Sequence, residues 1–248
     1  MYDAFNKDFG PLSLAKTHKY MRELVRLLSV RNVLFVSKEN SHKFLSNSSF
    51  SVKKDPQYKD SKIYHYTTTK FDKQANSCYL MGAFMVTVLK MNAEDAWDTF
   101  QPYHNVIRPF RDASYGDCYY ECTIYHCIKG LELAIMHGWY NFRNFDPIEY
   151  EYYEKVQNGD LNWTIPGKFI SFMGPVDTKY NRRGNCPEDY IQIFKHLGVT
   201  HVIRLNDVKY DRNRFLKHGI KHTDLYFIDG STPSDKIVNE FLRITEQE

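Results

Sequence analysis

Asp224-Leu225-Tyr226-Phe227-Ile228-Asp229-Gly230-Ser231-Thr232-Pro233-Ser234-Asp235 is the stretch on which the reading of the chain turns. Leu225 to Ile228 is a short apolar run of strand length. Asp229-Gly230 is a turn signal. Ser231 or Thr232 then offers a helix cap, Pro233 suits a first turn, and Asp235 follows close behind. Ile237, Val238, Phe241, Leu242 and Ile244 recur beyond it at helical spacing. Strand, turn and helix in succession are the grammar of an α/β fold. Such folds place chemistry at the C-terminal ends of strands, and a carboxylate there, Asp229, is positioned to serve as a general acid. Taken in isolation, an Asp-Gly pair is only a turn.

Upstream the same alternation continues. Phe169 to Phe172 reads as a strand, Thr178 to Asn185 as a basic polar loop, Pro187 to Leu197 as a helix ended by Gly198, and Val199 to Leu205 as a second strand. The pattern predicts an α/β domain with a mostly parallel sheet. Asp146-Pro147 opens a helix, Ile148 to Val156, that stops at Asn158-Gly159. Glu151 and Glu154 are three residues apart and share a face of it.

The first half reads as more helical. Leu12 to Leu28 sets Leu14, Tyr20, Met21, Leu24, Val25 and Leu28 on one stripe and Lys16, Lys19, Arg22 and Arg26 on the wet side. Residues 31–60 are rich in Ser, Asn and Lys and read as a mobile insertion. Lys62 to Tyr66 reads as a strand, followed by a polar loop and a helix, Ala75 to Leu89, with small residues for close packing. Strand, loop and helix N-terminus form an anion cradle, but Asp72 stands in this one and would repel phosphate. Asn92 precedes a short acidic helix. Arg108 to Asp117 reads as a loop, and Ile124 to Trp139 as a helix ending at His137-Gly138.

Composition narrows the function class. A net charge of +3 implies no strong nucleic-acid field. No apolar run reaches membrane-spanning length and no signal-peptide pattern opens the chain, so neither nucleic acid nor membrane is an expected partner. Five cysteines in no framework spacing point to a reducing compartment, cytoplasmic or nuclear. Cys118, Cys122, His126 and Cys127 lie close together but match no standard zinc spacing, so they read as core thiols. No metal or cofactor is expected.

The acid-loop string Phe227-Ile228-Asp229-Gly230-Ser231-Thr232-Pro233-Ser234-Asp235 resembles the mobile acid loop of the cell-division-cycle-fourteen dual-specificity phosphatases, the mitotic-exit family. Further segments are similar to that family in the same order. They are Asp8 to Leu12, His65-Tyr66-Thr67, Pro109 to Ser114, Asn158 to Trp163, Pro166 to Phe169 and Val202 to Asn206. The resemblance covers most of the chain outside roughly residues 30–61. It implies tandem dual-specificity-phosphatase-like domains. Residues 1–145 would be a degenerate first domain with an insertion at about 30–61, 146–164 a linker helix, and 165–248 the first part of a truncated catalytic domain.

The resemblance assigns roles as well. Asp229 would be the general acid that protonates the leaving oxygen. Asp112, Glu151, Glu154 and Asp160 would line an acidic groove that reads a basic residue near a phosphoserine or phosphothreonine followed by proline. Partners would then be phosphoproteins of that type, with self-association or a partner phosphatase as further expectations. The location would be cytoplasmic or nuclear, at the nucleolus or spindle pole, with a role in the cell cycle.

One departure counts against turnover. The nucleophile of this chemistry is a Cys with an Arg six residues later. Cys78, Cys118, Cys122, Cys127 and Cys186 are followed at that distance by Phe84, Ile124, Ile128, Leu133 and Gln192. Two readings follow. One is a family member represented by an incomplete chain that is inactive on its own. The other is a pseudophosphatase that binds phosphoproteins without hydrolysing them.

Overall fold

The computed structural model describes residues 2, 4–28, 63–177 and 184–247. The expected insertion at 30–61 and most of the basic loop beginning at Thr178 lie outside the described residues. The chain divides into two units, Met1–Ile148 and Glu149–Glu248.

The first unit is built on α2 (Phe71–Thr87), in which every residue from Met81 to Thr87 is buried. Small side chains make that possible. Helix α4 (Ile124–Met136) packs so closely that a Cβ on Gly82 would sit 2.2 Å from Cδ1 of Ile128. Asn76 ties the N-terminal segment to α2: its Oδ1 accepts from the Leu12 amide at 3.1 Å and its Nδ2 donates to the Phe9 carbonyl at 2.6 Å. Helix α1 (Leu14–Leu28) buries Ala15, Thr17, His18, Met21 and Leu24, while Leu14, Tyr20, Val25 and Leu28 flank the same core. Helix α3 (Ala93–Asp98) is capped as its sequence predicts, with Asn92 Oδ1 accepting from the Asp95 amide at 2.8 Å. Thr123 does the same for α4, at 3.1 Å from the His126 amide, and Gly138 beyond its end adopts φ +72°.

Two expectations for this unit fail. Residues 63–66 are not a strand: Tyr64, His65 and Tyr66 are exposed. His65 instead bridges two helices, with Nδ1 2.9 Å from the Tyr20 hydroxyl and Nε2 2.5 Å from Ser77 Oγ. The stretch read as a loop from Arg108 to Asp117 contains β1 (Phe110–Arg111), paired antiparallel with β2 (Glu121–Cys122).

The second unit opens with α5 (Pro147–Tyr153), which begins at the end of the first, and one turn of 3-10 helix that ends at Gly159, φ +118°. Strands β3 (Leu161–Ile165) and β4 (Phe169–Phe172) form an antiparallel hairpin. Helix α6 (Pro187–Leu197) has the predicted bounds, with Gly198 left-handed at its end. Strand β5 (His201–Arg204) pairs parallel with β6 (Lys221–Asp224), and the short α7 (Asn213–Leu216) lies between them in sequence. Helix α8 (Asp235–Gln247) closes the unit. Tyr190, Phe194 and Phe215 are buried; Phe172 meets Tyr190 and Phe194 edge-on and Phe194 stacks on Phe215, an aromatic core with centroids 5.1–5.9 Å apart.

The fold is thus mixed α/β with small sheets, and the mostly parallel sheet is corrected. Of three two-stranded sheets among the described residues, only β5–β6 is parallel. The reason lies in β3, which sequence reading left as a connection. A tight turn at Pro166-Gly167-Lys168 joins β3 to β4, with the Lys168 amide donating to the Ile165 carbonyl at 3.0 Å. A link that short permits only an antiparallel pair. No helix among the described residues is long and apolar enough to cross a membrane.

Close packing at Gly82 gives a direct test. Gly82→Ile should destabilise the first unit by about 1–3 kcal/mol, because the new branch displaces Ile128 from a filled site. A urea titration should show a lower midpoint; an unchanged midpoint would mean the α2–α4 contact is looser than described.

Candidate functional site

Asp229 sits at the crest of a tight turn. The Ile228 carbonyl accepts from the Ser231 amide at 3.0 Å, and Gly230, with φ +74°, takes the left-handed position that a glycine fills without strain. Asp229 is exposed. The helix cap expected at Ser231 or Thr232 lies elsewhere. Ser231 Oγ bonds back to the Ile228 carbonyl at 2.5 Å and closes the turn. Helix α8 starts at Asp235, and the Ser234 carbonyl accepts from Val238 at 3.0 Å.

The segment feeding this turn is also shifted from its expected place. The regular strand is the polar Lys221–Asp224, not Leu225 to Ile228. Beyond Asp224 the chain still follows β5, with the Leu225 amide on the Arg204 carbonyl at 2.9 Å and the Phe227 amide on the Leu205 carbonyl at 3.1 Å. Leu225 is buried and Phe227 half-buried, while Tyr226 and Ile228 point to solvent.

A buried polar cluster holds the end of β6. The Arg204 side chain is 4% exposed, and its Nε donates to Asp224 Oδ1 at 2.6 Å. A terminal guanidinium nitrogen donates to the Tyr210 carbonyl at 2.8 Å, and the guanidinium lies 4.6 Å from the centre of the Tyr210 ring. The Tyr210 hydroxyl is 2.7 Å from Nε2 of His222. Nδ1 of His222 has no hydrogen-bond partner among the described residues; Asp224 Oδ1 is 4.0 Å away. Burial pushes the His222 pKa down from 6.5 to about 4; Asp224 opposes this by pulling upward, and Arg204, Arg212 and His201 push it further down. Nothing in the sequence singles out this cluster, because Arg204, Tyr210 and His222 are scattered polar residues until the fold gathers them.

A cleft of about 840 Å³ runs between β4 and β5. Phe169 to Phe172 line one side, Val202 to Arg204 the other, and Trp163, Phe194, Phe241 and Ile244 add apolar surface. Strand β4 pairs only with β3, and β5 only with β6, so both strand edges at the cleft lack a strand partner among the described residues. Lys168 Nζ reaches the Thr245 carbonyl at 2.6 Å and Phe169 stacks on Phe241 at 5.8 Å, which brings the end of α8 to this hairpin.

The carboxylates expected to line a groove fall in both units. Asp112 follows β1 and is half-buried. It accepts from Ser114 Oγ at 2.6 Å and from the Ser114 amide at 3.2 Å, with Arg111 3.7 Å away. The Ser114 hydroxyl chiefly, with Arg111 in support, holds its carboxyl below the usual aspartate range. Glu151 lies in α5 and Glu154 one residue past its end; both are half-buried. Asp160 adopts φ +46°, and its carbonyl accepts from the Met173 amide at 3.0 Å, so its backbone locks the start of β3 to the end of β4.

The core-thiol expectation holds only for Cys127, which packs against the core of the first unit. Cys122 is exposed, and Cys118 and Cys127 are half-buried. Among the described residues no three His, Cys, Asp or Glu side chains converge as metal ligands.

The buried imidazole makes the second unit acid-sensitive. His222 is neutral in the folded chain, and its depressed pKa means the unfolded chain binds the proton first. Its contribution is intact above about pH 6.5 and is lost as pH falls toward 4. At about pH 5 the loss amounts to about 1–2 kcal/mol. His222→Gln should flatten this part of the stability–pH curve in denaturant titrations; an unchanged slope would place the acid sensitivity elsewhere.

Comparison with known proteins shows what the chain is similar to. Residues 42–134 match the model of the dual specificity protein phosphatase N-terminal half. Dual specificity protein phosphatase CDC14A from Homo sapiens is 41% identical over 250 residues, covering 99% of this chain and 38% of that protein. Dual specificity protein phosphatase CDC14C from Homo sapiens is 38% identical, covering 99% and 50%. Tyrosine-protein phosphatase cdc-14 from Caenorhabditis elegans is 34% identical over 256 residues, covering 99% and 32%. The chain therefore spans half or less of the length of these relatives. Along almost its entire length, this chain is similar to a stretch making up half or less of the CDC14 dual specificity protein phosphatases.

Proposed function

We propose that this chain supplies the proton donor and the substrate-reading carboxylates of a cysteine-dependent dual-specificity protein phosphatase. Its substrates would be phosphoserine or phosphothreonine followed by proline, with a Lys or Arg nearby. The observation that carries this reading is the exposed Asp229, presented at the crest of a closed turn within a chain that is 41% identical to a dual specificity phosphatase over 250 residues. Backbone bonds on either side of Asp229 shape the turn, and its exposure leaves the carboxylate accessible to a substrate oxygen.

In the reaction a thiolate attacks phosphorus, Asp229 gives its proton to the departing serine or threonine oxygen, and water then cleaves the cysteinyl phosphate with Asp229 as base. The 248 residues contain no Cys with an Arg six positions on. The acid then has no leaving group to protonate, and these residues alone do not turn over phosphomonoesters. The cleft between β4 and β5 fits this division of labour. Its two edges present backbone groups that an added strand would satisfy on both sides, completing one continuous sheet.

The same missing nucleophile favours a second reading, a pseudophosphatase that binds Ser-Pro phosphoproteins or pairs with a complete phosphatase. Both readings give the recognition of basic residues to carboxylates: Glu151, Glu154 and Asp160 in the second unit, and Asp112 in the first. Carboxylates attract a cationic side chain and weaken with salt.

Fluorescence anisotropy with a phosphoserine-proline peptide carrying a nearby Lys tests that shared claim. The peptide should bind more tightly than its Lys→Ala version, and less tightly as salt rises. Glu151→Gln with Glu154→Gln should weaken binding by about three- to tenfold, the sum of two half-exposed ion pairs. Equal affinity for the two peptides, or none lost in the double variant, contradicts the assignment.

A further inference from the structure

The thiols of Cys122 and Cys127 face each other with sulfurs 3.4 Å apart. Cys122 is exposed at the end of β2; Cys127 is half-buried in the first turns of α4. The two flank Thr123, the residue that caps α4, and the Cys127 amide bonds the Thr123 carbonyl at 3.1 Å. A disulfide requires sulfurs about 2 Å apart, so closing the gap takes roughly an ångström of side-chain movement. The other cysteines have different surroundings. Cys186 Sγ is engaged with Asp189 at 3.1 Å and Cys118 Sγ with the Tyr120 carbonyl at 3.0 Å. Cys78 is half-buried in α2.

We propose that Cys122 and Cys127 are a reversible oxidation site, in which a peroxide converts the facing thiols into a disulfide that ties β2 to the start of α4. The exposed Cys122 reacts first. Its thiolate attacks one peroxide oxygen, the O–O bond breaks, and the released hydroxide takes a proton to become water. The product is a sulfenic acid on Cys122. Cys127 then attacks that sulfur, the S–O bond breaks, and the hydroxyl leaves as a second water with the proton from Cys127. Two thiols lose two hydrogens in all and one hydrogen peroxide is reduced to two waters. A dithiol reductant reverses the step. Burial raises the Cys127 thiol pKa, which makes it the poorer first nucleophile and leaves the initial attack on peroxide to the exposed Cys122.

The bond would act on a defined piece of chain. Cys122 lies opposite Phe110 in the β1–β2 ladder, and Phe110 is 1% exposed, with its ring against Phe9 and Tyr79. Between the strands, residues 112–120 are gathered by the Arg111 guanidinium, which donates to the Ser114 and Gly116 carbonyls at 3.2 and 2.9 Å. That loop begins with Asp112. Its front is already fixed by Arg111 and the buried Phe110, while its back hangs on the two-residue β2. A disulfide from Cys122 to the helix fixes the back as well. The chemical step stands apart from the proposed function; only an effect on substrate reading by Asp112 rests on that reading.

The test is peptide mapping of the full 248-residue chain after hydrogen peroxide treatment and alkylation of the remaining thiols. The expected result joins Cys122 to Cys127 within one chain, leaves Cys78, Cys118 and Cys186 alkylated, and reverts with dithiothreitol. Cys127→Ser should accumulate Cys122 sulfenic acid, trapped by a dione reagent, several-fold over the parent chain. Amide exchange across 112–121 should slow on oxidation. Cys122 remaining fully alkylated, pairing with Cys118, or linking two chains overturns the proposal, and unchanged exchange overturns the tether. Failure of the peptide-binding experiment with Glu151 and Glu154 leaves these readouts untouched, so the two ideas fail separately.

Discussion

A guanidinium with almost no access to water must have its charge answered, and in the second unit Arg204 sets that condition. Asp224 answers it, and the Tyr210 carbonyl and ring complete the shell. Burying a charge is costly unless it is paired and hydrogen-bonded. The pair therefore fixes where β6 stops, because Asp224 is its last residue. From there the Leu225 and Phe227 amides reach back to β5, so the chain follows that strand to within two residues of Asp229. The buried pair thus anchors the segment that leads into the Asp229 turn. His222 packs into the same cluster as a neutral ring, so the anchor is built for neutral rather than acidic conditions.

Much of this was legible in the sequence wherever a local rule carried it. Pro187 at the first position and Gly198 past the last gave α6 both its ends, since one residue begins a helix without strain and the other leaves it in the left-handed region. Asn92 and the Asp229-Gly230 turn were readable for similar reasons. Where tertiary contacts decide, the reading failed. Leu225 to Ile228 looked like the strand because it is apolar, yet the paired residues are Lys221 to Asp224, where His222 is buried only because Tyr210 receives it. Strand β3 was missed because Asn162 and Thr164 break its apolar run, and its identity rests on β4 across the hairpin. Ile63 to Tyr66 has the composition of a strand but no neighbour to pair with among the described residues, and His65 settles between Tyr20 and Ser77 instead.

The candidate site divides along the same line. Asp229 was visible as a carboxylate on a strand-to-helix turn, and the similarity to dual specificity phosphatases along 99% of the chain gives that carboxylate a chemical context. The groups that support it, Arg204, Tyr210 and His222, carry no motif. Phosphoryl transfer to a thiolate needs a nucleophile, a phosphate clamp and an acid in one place. In the proposed function Asp229 is the third, and the cleft between β4 and β5 leaves two strand edges without a strand partner among the described residues of the same unit.

The central claim, an acid without its nucleophile, is tested most directly by turnover. The purified 248-residue chain is incubated with p-nitrophenyl phosphate and with a phosphoserine-proline peptide, alongside Asp229→Ala to expose any contaminating phosphatase. The account predicts no release of phosphate above the Asp229→Ala background with either substrate. Sustained release by the parent chain that Asp229→Ala abolishes would contradict it, because it would mean that a nucleophile resides among these residues after all.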